Sequence, residues 1–355
     1  MKNIEIVLKK IETLKSEEPK LRNRGLAHRL GISEAELLSL YAGQHVTILN
    51  GSWKNLISQL HKMGYVMALT RNEHCVHERK GVYNNIEFYD GLHNMGVAVN
   101  PDIDLRFFMN EWHYGLAVEM TRPKGQKLYS FQFFNKKGEA VHKVFSTPKS
   151  NIEAYRAIVE LFKAKEQEPI LDTDRSTYPE KVEEPDTTID VAGFQQAWLD
   201  LKDTHDFFGM LRKFGVSRTQ ALRLAPEGHA IEVDKDAVVR MLELAAERQV
   251  PIMCFLHSKG CMQIHTGPVK NLKVFGDWYN VMDPQFNLHL KMISIKDAWI
   301  VRKPTSDGMV SSLELFDETG TLIVYFFGAR KPGIPELEEW KTILLDIQQS
   351  VATTV

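Results

Sequence analysis

Apolar and polar residues alternate with period two along LYSFQFFNKKGEAVHKVF from Leu128, and again along LELFDETGTLIVYFF from Leu313. Each stretch is a pair of β-rich runs joined by a turn holding Gly138 or Gly320, so each predicts an antiparallel hairpin. Upstream, NPDIDLRFFMNEWHYGLAV from Asn100 and DPQFNLHLKMISIKDAWIV from Asp283, 183 positions apart, share an Asn/Asp-Pro opening, strand-like alternation and a second apolar strand. Downstream the period changes to three and four in IEAYRAIVELF after Ser150 and in PELEEWKTILLDI from Pro335, each predicting an amphipathic helix. Helices open both stretches as well, LAHRLGISEAELLSL at Leu26 paralleling MLRKFGVSRTQALRL at Met210. The pattern is one αββββα-like unit written twice.

Between the copies, residues 165–190 are rich in acid and proline and carry neither period, which reads as a linker. The expected organisation is an N-terminal repeat over 1–164, the acidic linker, and a C-terminal repeat over 191–355. The expected class is α+β: an internally duplicated α/β unit, each half a large antiparallel sheet flanked by helices. Two such halves packed about a pseudo-twofold leave a cleft between them.

Composition fits this. A chain of 355 residues with 43% hydrophobic and 25% charged residues has room for two cores of its own. No stretch reaches the roughly 18 apolar residues of a membrane span, and the N-terminus alternates charge with aliphatics, so neither stable membrane insertion nor a secretory signal is expected. Cys75, Cys254 and Cys261 make no even set and no CxxC spacing, which points to reduced thiols in a reducing, cytoplasmic compartment. A net charge of −2 gives no general attraction to nucleic acid, so an anionic ligand must be held by local cations.

Several constellations invite a chemical reading. Residues 25–40 have the look of a helix-turn-helix with a Ser33-x-x-Glu36 capping box, the basis for a DNA-binding alternative. Its second helix carries Glu34 and Glu36 and no Lys or Arg, against the phosphate attraction that dominates DNA affinity, and a packed helical hairpin accounts for it better. The clusters His74, Cys75, His77 and Cys254, His257, Cys261, His265 fit no zinc spacing well and read as strand and turn residues. No GxGxxG, GxxxxGK[ST], GxSxG or HExxH stands at a supporting position.

The repeat breaks at residues 203–225, DTHDFFGMLRKFGVSRTQALRLA, where His205 faces Leu21 of the first copy. A histidine beside Phe207 and Phe208 at a helix end can present a neutral imidazole to a ligand, and equally can cap a helix or fill a core. The duplicated halves, Asp102-x-Asp104-Leu105-Arg106 followed by Trp112-His113, the HDFFGMLRKFGVSRTQALRLA segment and FFGARKPGIPEL together resemble the bacterial hemin-degrading or hemin-transport family, cytoplasmic partners of outer-membrane heme uptake systems. The resemblance covers essentially the whole chain. It implies two α/β halves with one heme (iron protoporphyrin IX) between them, His205 as proximal iron ligand and Arg106 as the distal arginine and candidate catalytic residue. It further implies Arg218, Lys303 and Arg330 as cationic contacts for the propionates, with Phe108 and Phe255 near the ring. His289 stands in the second copy where the first has Arg106. Family members either pass hemin on or open the ring to release iron. The expected partners are heme, an importer on the cytoplasmic side, and a downstream heme oxygenase or electron donor.

Overall fold

The computed structural model describes residues 2–91, 94–122, 124–178, 183–331 and 333–352. The middle of the expected linker, 179–182, lies outside them. In the first half α1 (Lys2–Glu17), α2 (Asn23–Leu30) and α3 (Glu34–Ser39) precede β1 (Val46–Leu49) and α4 (Trp53–Gln59). Then come β2 (Gly64–Arg71), β3 (Cys75–Gly81), β4 (Ile86–Tyr89), β5 (Met95–Val99), β6 (Asp104–Phe108), β7 (Tyr114–Thr121), β8 (Lys127–Phe134), β9 (Ala140–Ser150) and α5 (Ile152–Phe162). The second half repeats the order with α6 (Val191–Leu199), α7 (Asp206–Phe214), α8 (Arg218–Arg223), β10 (Ala230–Val233) and α9 (Ala237–Glu247). It continues through β11 (Ile252–His257), β12 (Cys261–Gly267), β13 (Leu272–Phe275), β14 (Trp278–Met282), β15 (Phe286–Lys291), β16 (Asp297–Thr305), β17 (Gly308–Phe316), β18 (Leu322–Gly328) and α10 (Glu338–Ala352). The fold is α+β, with more strands in each half than the alternation alone revealed. Among the described residues no helix is long and apolar enough to cross a membrane.

The chain forms two compact units: Met1–Arg71 with Glu78–Thr177 and His257–Gln263, and Asn72–His77 with Tyr178–Leu256 and Ile264–Val355. In the first unit five strands follow the antiparallel order β1-β7-β8-β9-β2, and β4-β5-β6 form a meander. Its core gathers Leu56, Ile57, Phe107, Phe131, Phe133, Tyr155 and Ile158, and α5 enters it after Asn151 caps the Ala154 amide. The 257–263 turn joins this unit where Gly260 accepts from the Trp112 indole at 2.8 Å, and Cys261 enters the core. A Cβ at Gly260 would meet Val141 at 2.8 Å, so only glycine lets the turn approach that closely.

In the second unit the order is β10-β16-β17-β18-β11, with a β13-β14-β15 meander. Apolar residues of α9 and α10, Val238, Met241 and Leu242 with Trp340, Ile343 and Ile347, make its main core. A second cluster, Phe194, Trp198, Phe207, Met210 and Leu211, packs α6 and α7 together. Burying one such side chain contributes about 1.5–3 kcal/mol.

Register makes the duplication explicit. Val46 pairs with Val118 as Ala230 pairs with Val301, Val118 with Ser130 as Val301 with Ser312, and Arg106 with Val97 as His289 with Asn280. The hairpin turns at Gly138 and Gly320 have φ of +73° and +71°.

Candidate functional site

Most of the candidate residues fall in the second unit, around the start of α7. His205 is the residue ahead of that helix, and Asp203 shapes the turn that delivers it, accepting from the His205 backbone N–H at 2.8 Å. The same Asp203 oxygen lies 2.6 Å from His205 Nδ1. A carboxylate only accepts, so Nδ1 carries a proton, and in the neutral ring Nε2 is the nitrogen with the free lone pair. The imidazole is 91% exposed, open to a ligand. The His205 amide bond holds the Asp203 carboxyl below its ordinary range.

Two residues on, Phe207 turns inward and packs edge-on against Trp198 at 4.8 Å. Above its ring lie Lys303 Nζ, 4.4 Å from the centroid, and the Arg218 guanidinium at 5.4 Å. Both cations bind one carboxylate. Arg218 Nε and Nη2 donate to the two oxygens of Glu314 at 2.7 and 2.8 Å, and Lys303 Nζ donates at 2.9 Å. The Ser312 hydroxyl adds a fourth bond at 2.9 Å.

Strand alternation explains the gathering. Ser312 and Glu314 share one face of β17, and the neighbouring register sets Val301 opposite Ser312 and Tyr325 opposite Glu314. Ser217 caps α8, which starts at Arg218, and sets that helix down over the face. Glu314 and Lys303 are buried, while Arg218 remains partly exposed at the rim. Burial alone would raise the Glu314 carboxyl, yet Arg218 and Lys303 outweigh it and hold the group far below its usual range. Burial pulls Lys303 down to about 8 against the opposing pull of Glu314.

Aromatic rings continue the face. Phe255 stacks on Tyr325 at 5.0 Å, Phe327 meets both edge-on, and the Arg218 guanidinium lies 5.5 Å from the Tyr325 ring centroid. Arg330 stands apart from the Glu314 cluster and donates to Asp307 at 3.1 Å.

Arg106 and Phe108 belong to the first unit. Arg106 on β6 pairs with the Asp104 carboxylate two residues back and donates to the Leu105 carbonyl at 3.2 Å. Phe108 ends the strand with its amide bonded to Gly260 O at 3.0 Å. At the matching position of the second unit, burial lowers the pKa of His289, whose Nδ1 lies 2.7 Å from Asn280 Oδ1.

At the corresponding positions of the first copy the charges are arranged differently. Glu34 stands where Arg218 does, Gln132 where Glu314 does and Lys143 where Tyr325 does, with Lys143 bonded to Glu34 at 2.6 Å. Every residue of α3 is buried, and Arg175 binds Glu36 at 2.8 Å. An element without an exposed basic face cannot serve as a DNA recognition helix. Cys75 and Cys254 lie in the second unit's core and Cys261 in the first's. Among the described residues no three His, Cys, Asp or Glu side chains assemble for a metal.

Asp203, Ser312 and Glu314 were not singled out from the sequence. Alternation in SSLELF puts Ser312 and Glu314 on one polar face, but a polar strand face ordinarily meets water.

A duplicated α+β scaffold carries an exposed imidazole near a buried lysine and a rim arginine, an arrangement chemically suited to an anionic ligand that an imidazole can hold. The chain belongs to the haemin-degrading HemS/ChuX family: the domain described as "Haemin-degrading HemS.ChuX domain" matches residues 31–162 and again 215–347. It is 36% identical to the hemin transport protein HmuS of Yersinia pestis over 328 residues, 92% of this chain and 93% of that one. The structure is similar to holo-PhuS, a heme-binding protein from Pseudomonas aeruginosa, with TM-score 0.92, 44% identity and coverage of 96% and 97% of the two chains. It is also similar to ChuS, an E. coli heme oxygenase, with TM-score 0.84, 31% identity and coverage of 95% and 99%.

Proposed function

We propose that this chain binds heme in the bacterial cytoplasm and carries it as part of heme uptake and iron acquisition. One observation carries the reading: an exposed imidazole with Nδ1 tied to Asp203 leads the helix whose Phe207 ring packs under two cations, buried Lys303 and rim-exposed Arg218. The donor set fits heme. Neutral imidazole suits iron, Arg and Lys suit the propionate carboxylates, and aromatic side chains suit the apolar disc.

In this reading His205 Nε2 is the iron ligand, and Asp203 keeps the ring in the required tautomer. Arg218, Lys303 and Arg330 meet the carboxylates, and Phe108 and Phe255 meet the ring. An importer hands hemin to the protein, which passes it to an acceptor. Adding hemin to the purified chain should give a Soret band that saturates at one hemin per chain, and a titration without saturation contradicts the reading.

A second reading, oxidative ring opening, rests on Arg106. Bound heme would supply the iron redox chemistry, and Arg106, aimed by Asp104, offers a fixed positive charge and N–H donors where negative charge develops. The expected result is conversion to an open tetrapyrrole with a reductase and NADPH that resists catalase and is lost in Arg106→Ala. Degradation that vanishes with catalase, while intact hemin still transfers to a second protein, leaves carriage as the function.

A further inference from the structure

Two buried ionised side chains, Glu314 and Lys303, with Arg218 at the rim, are costly: each buried ion loses several kcal/mol of hydration, and well-packed apolar replacements are often as stable or more so. Glu314, Lys303 and Arg218 therefore call for an explanation beyond stability. Glu314 accepts four hydrogen bonds, from Arg218 Nε and Nη2, Lys303 Nζ and Ser312 Oγ. Two cations and one carboxylate leave the cluster with one net positive charge. Its floor is the Phe207 ring, touched by both cations, and Phe207 stands in the first turn of the helix that His205 leads. One carboxylate thus sets the cations and, through that ring, the start of α7.

We propose that Glu314 is the positioning residue of the ligand site: it holds Arg218 and Lys303 ionised and side by side for the carboxylates of the ligand and, through Phe207, sets the direction of His205. This rests on the heme reading and deepens it. The groups facing Lys303 are Glu314 from β17 and Arg218 from α8, with Tyr325 of β18 beside Arg218 and Phe207 of α7 beneath. Glu314 is the only carboxylate among them. Without it Lys303 would face only a like charge in a buried place and would release its proton more readily. The clamp would then be half discharged when a carboxylate arrives, and binding would require proton uptake.

The test compares wild type with Glu314→Gln and Glu314→Asp, titrated with hemin and with hemin dimethyl ester, which lacks free carboxylates. Titrations are followed in the Soret region at pH 6.5 and pH 7.5. Glu314→Gln should weaken hemin binding at least tenfold at pH 7.5 and less at pH 6.5, weaken ester binding clearly less than hemin binding, and shift the Soret band of the complex. Glu314→Asp should recover part of the loss. A folded Glu314→Gln protein with wild-type hemin affinity at both pH values and an unmoved Soret band overturns the proposal. Should Glu314→Gln fail to fold, the double variant Lys303→Met with Glu314→Gln, which leaves only the partly exposed Arg218 charged, decides: it should lose the preference for hemin over the ester, and keeping it overturns the proposal. Wild type that binds no hemin defeats the heme reading itself, a result distinct from either.

Discussion

His142 sits wholly inside the first unit with both ring nitrogens engaged, Nδ1 at 2.9 Å from Thr70 Oγ1 and Nε2 at 2.6 Å from the Tyr83 hydroxyl. Thr70 gives its own proton to Cys261 Sγ at 3.6 Å, so it accepts from Nδ1–H, and Tyr83 donates to Nε2. This directed chain needs a neutral imidazole, and burial lowers the His142 pKa to about 3. An unfolded histidine titrates near ~6.5, so the unfolded chain binds the extra proton throughout that window and stability falls as pH drops across it. Each tenfold difference in proton affinity is about 1.4 kcal/mol, making the acid loss a few kcal/mol. His142→Gln should melt lower than wild type at pH 7 yet lose less melting temperature between pH 7 and pH 4. Parallel declines contradict this account. Nothing in VHKVF distinguishes such a histidine from an exposed one, because its partners come from β2, the residues after β3, and the 257–263 turn.

At the scale of elements, the same device joins turn to helix in both copies. Gly138 turns at positive φ, and a Cβ there would come within 2.1 Å of Ser33 Oγ, the oxygen that caps α3 by accepting from Glu36 N–H at 3.1 Å. At Gly320 a Cβ would meet Thr219 Oγ1 at 2.9 Å. Gly138→Ala should therefore cost roughly 2 kcal/mol or more, a displaced cap plus backbone strain. Gly228, with φ +75° and open space around it, is the control in which Ala meets only the backbone strain. Equal losses of denaturation free energy in the two variants would refute the turn-to-cap contact. The hairpins, amphipathic helices and capping box were legible because each repeats a period or spacing over many residues. Short strands such as Val46–Leu49 and Ile86–Tyr89 were not, since four positions are too few to show alternation.

Across the whole molecule, duplication preserves register while the chemistry on it diverges. Arg218 replaces Glu34, Glu314 replaces Gln132 and Tyr325 replaces Lys143, so the carboxylate moves from the helix to the strand and the Lys143–Glu34 pair, with Arg71 and Arg24 near it, gives way to two cations on Glu314 beside aromatic rings. The copies were legible from offsets of 182 to 184 positions in the sequence, whereas His205 and Arg218 stood out only through the family resemblance of the segment that carries them. Glu314 was hidden because its burial comes from where α8 lands, a tertiary fact that strand alternation does not encode. The central claim is that His205, oriented by Asp203, ligates heme iron. It is tested most directly by the visible spectrum of the hemin complex of His205→Ala beside wild type, since loss of affinity alone is confounded by the 13 histidines of the chain. The account predicts a displaced Soret band and an altered iron spin state with far-UV circular dichroism unchanged; a folded His205→Ala complex with the wild-type spectrum would contradict it.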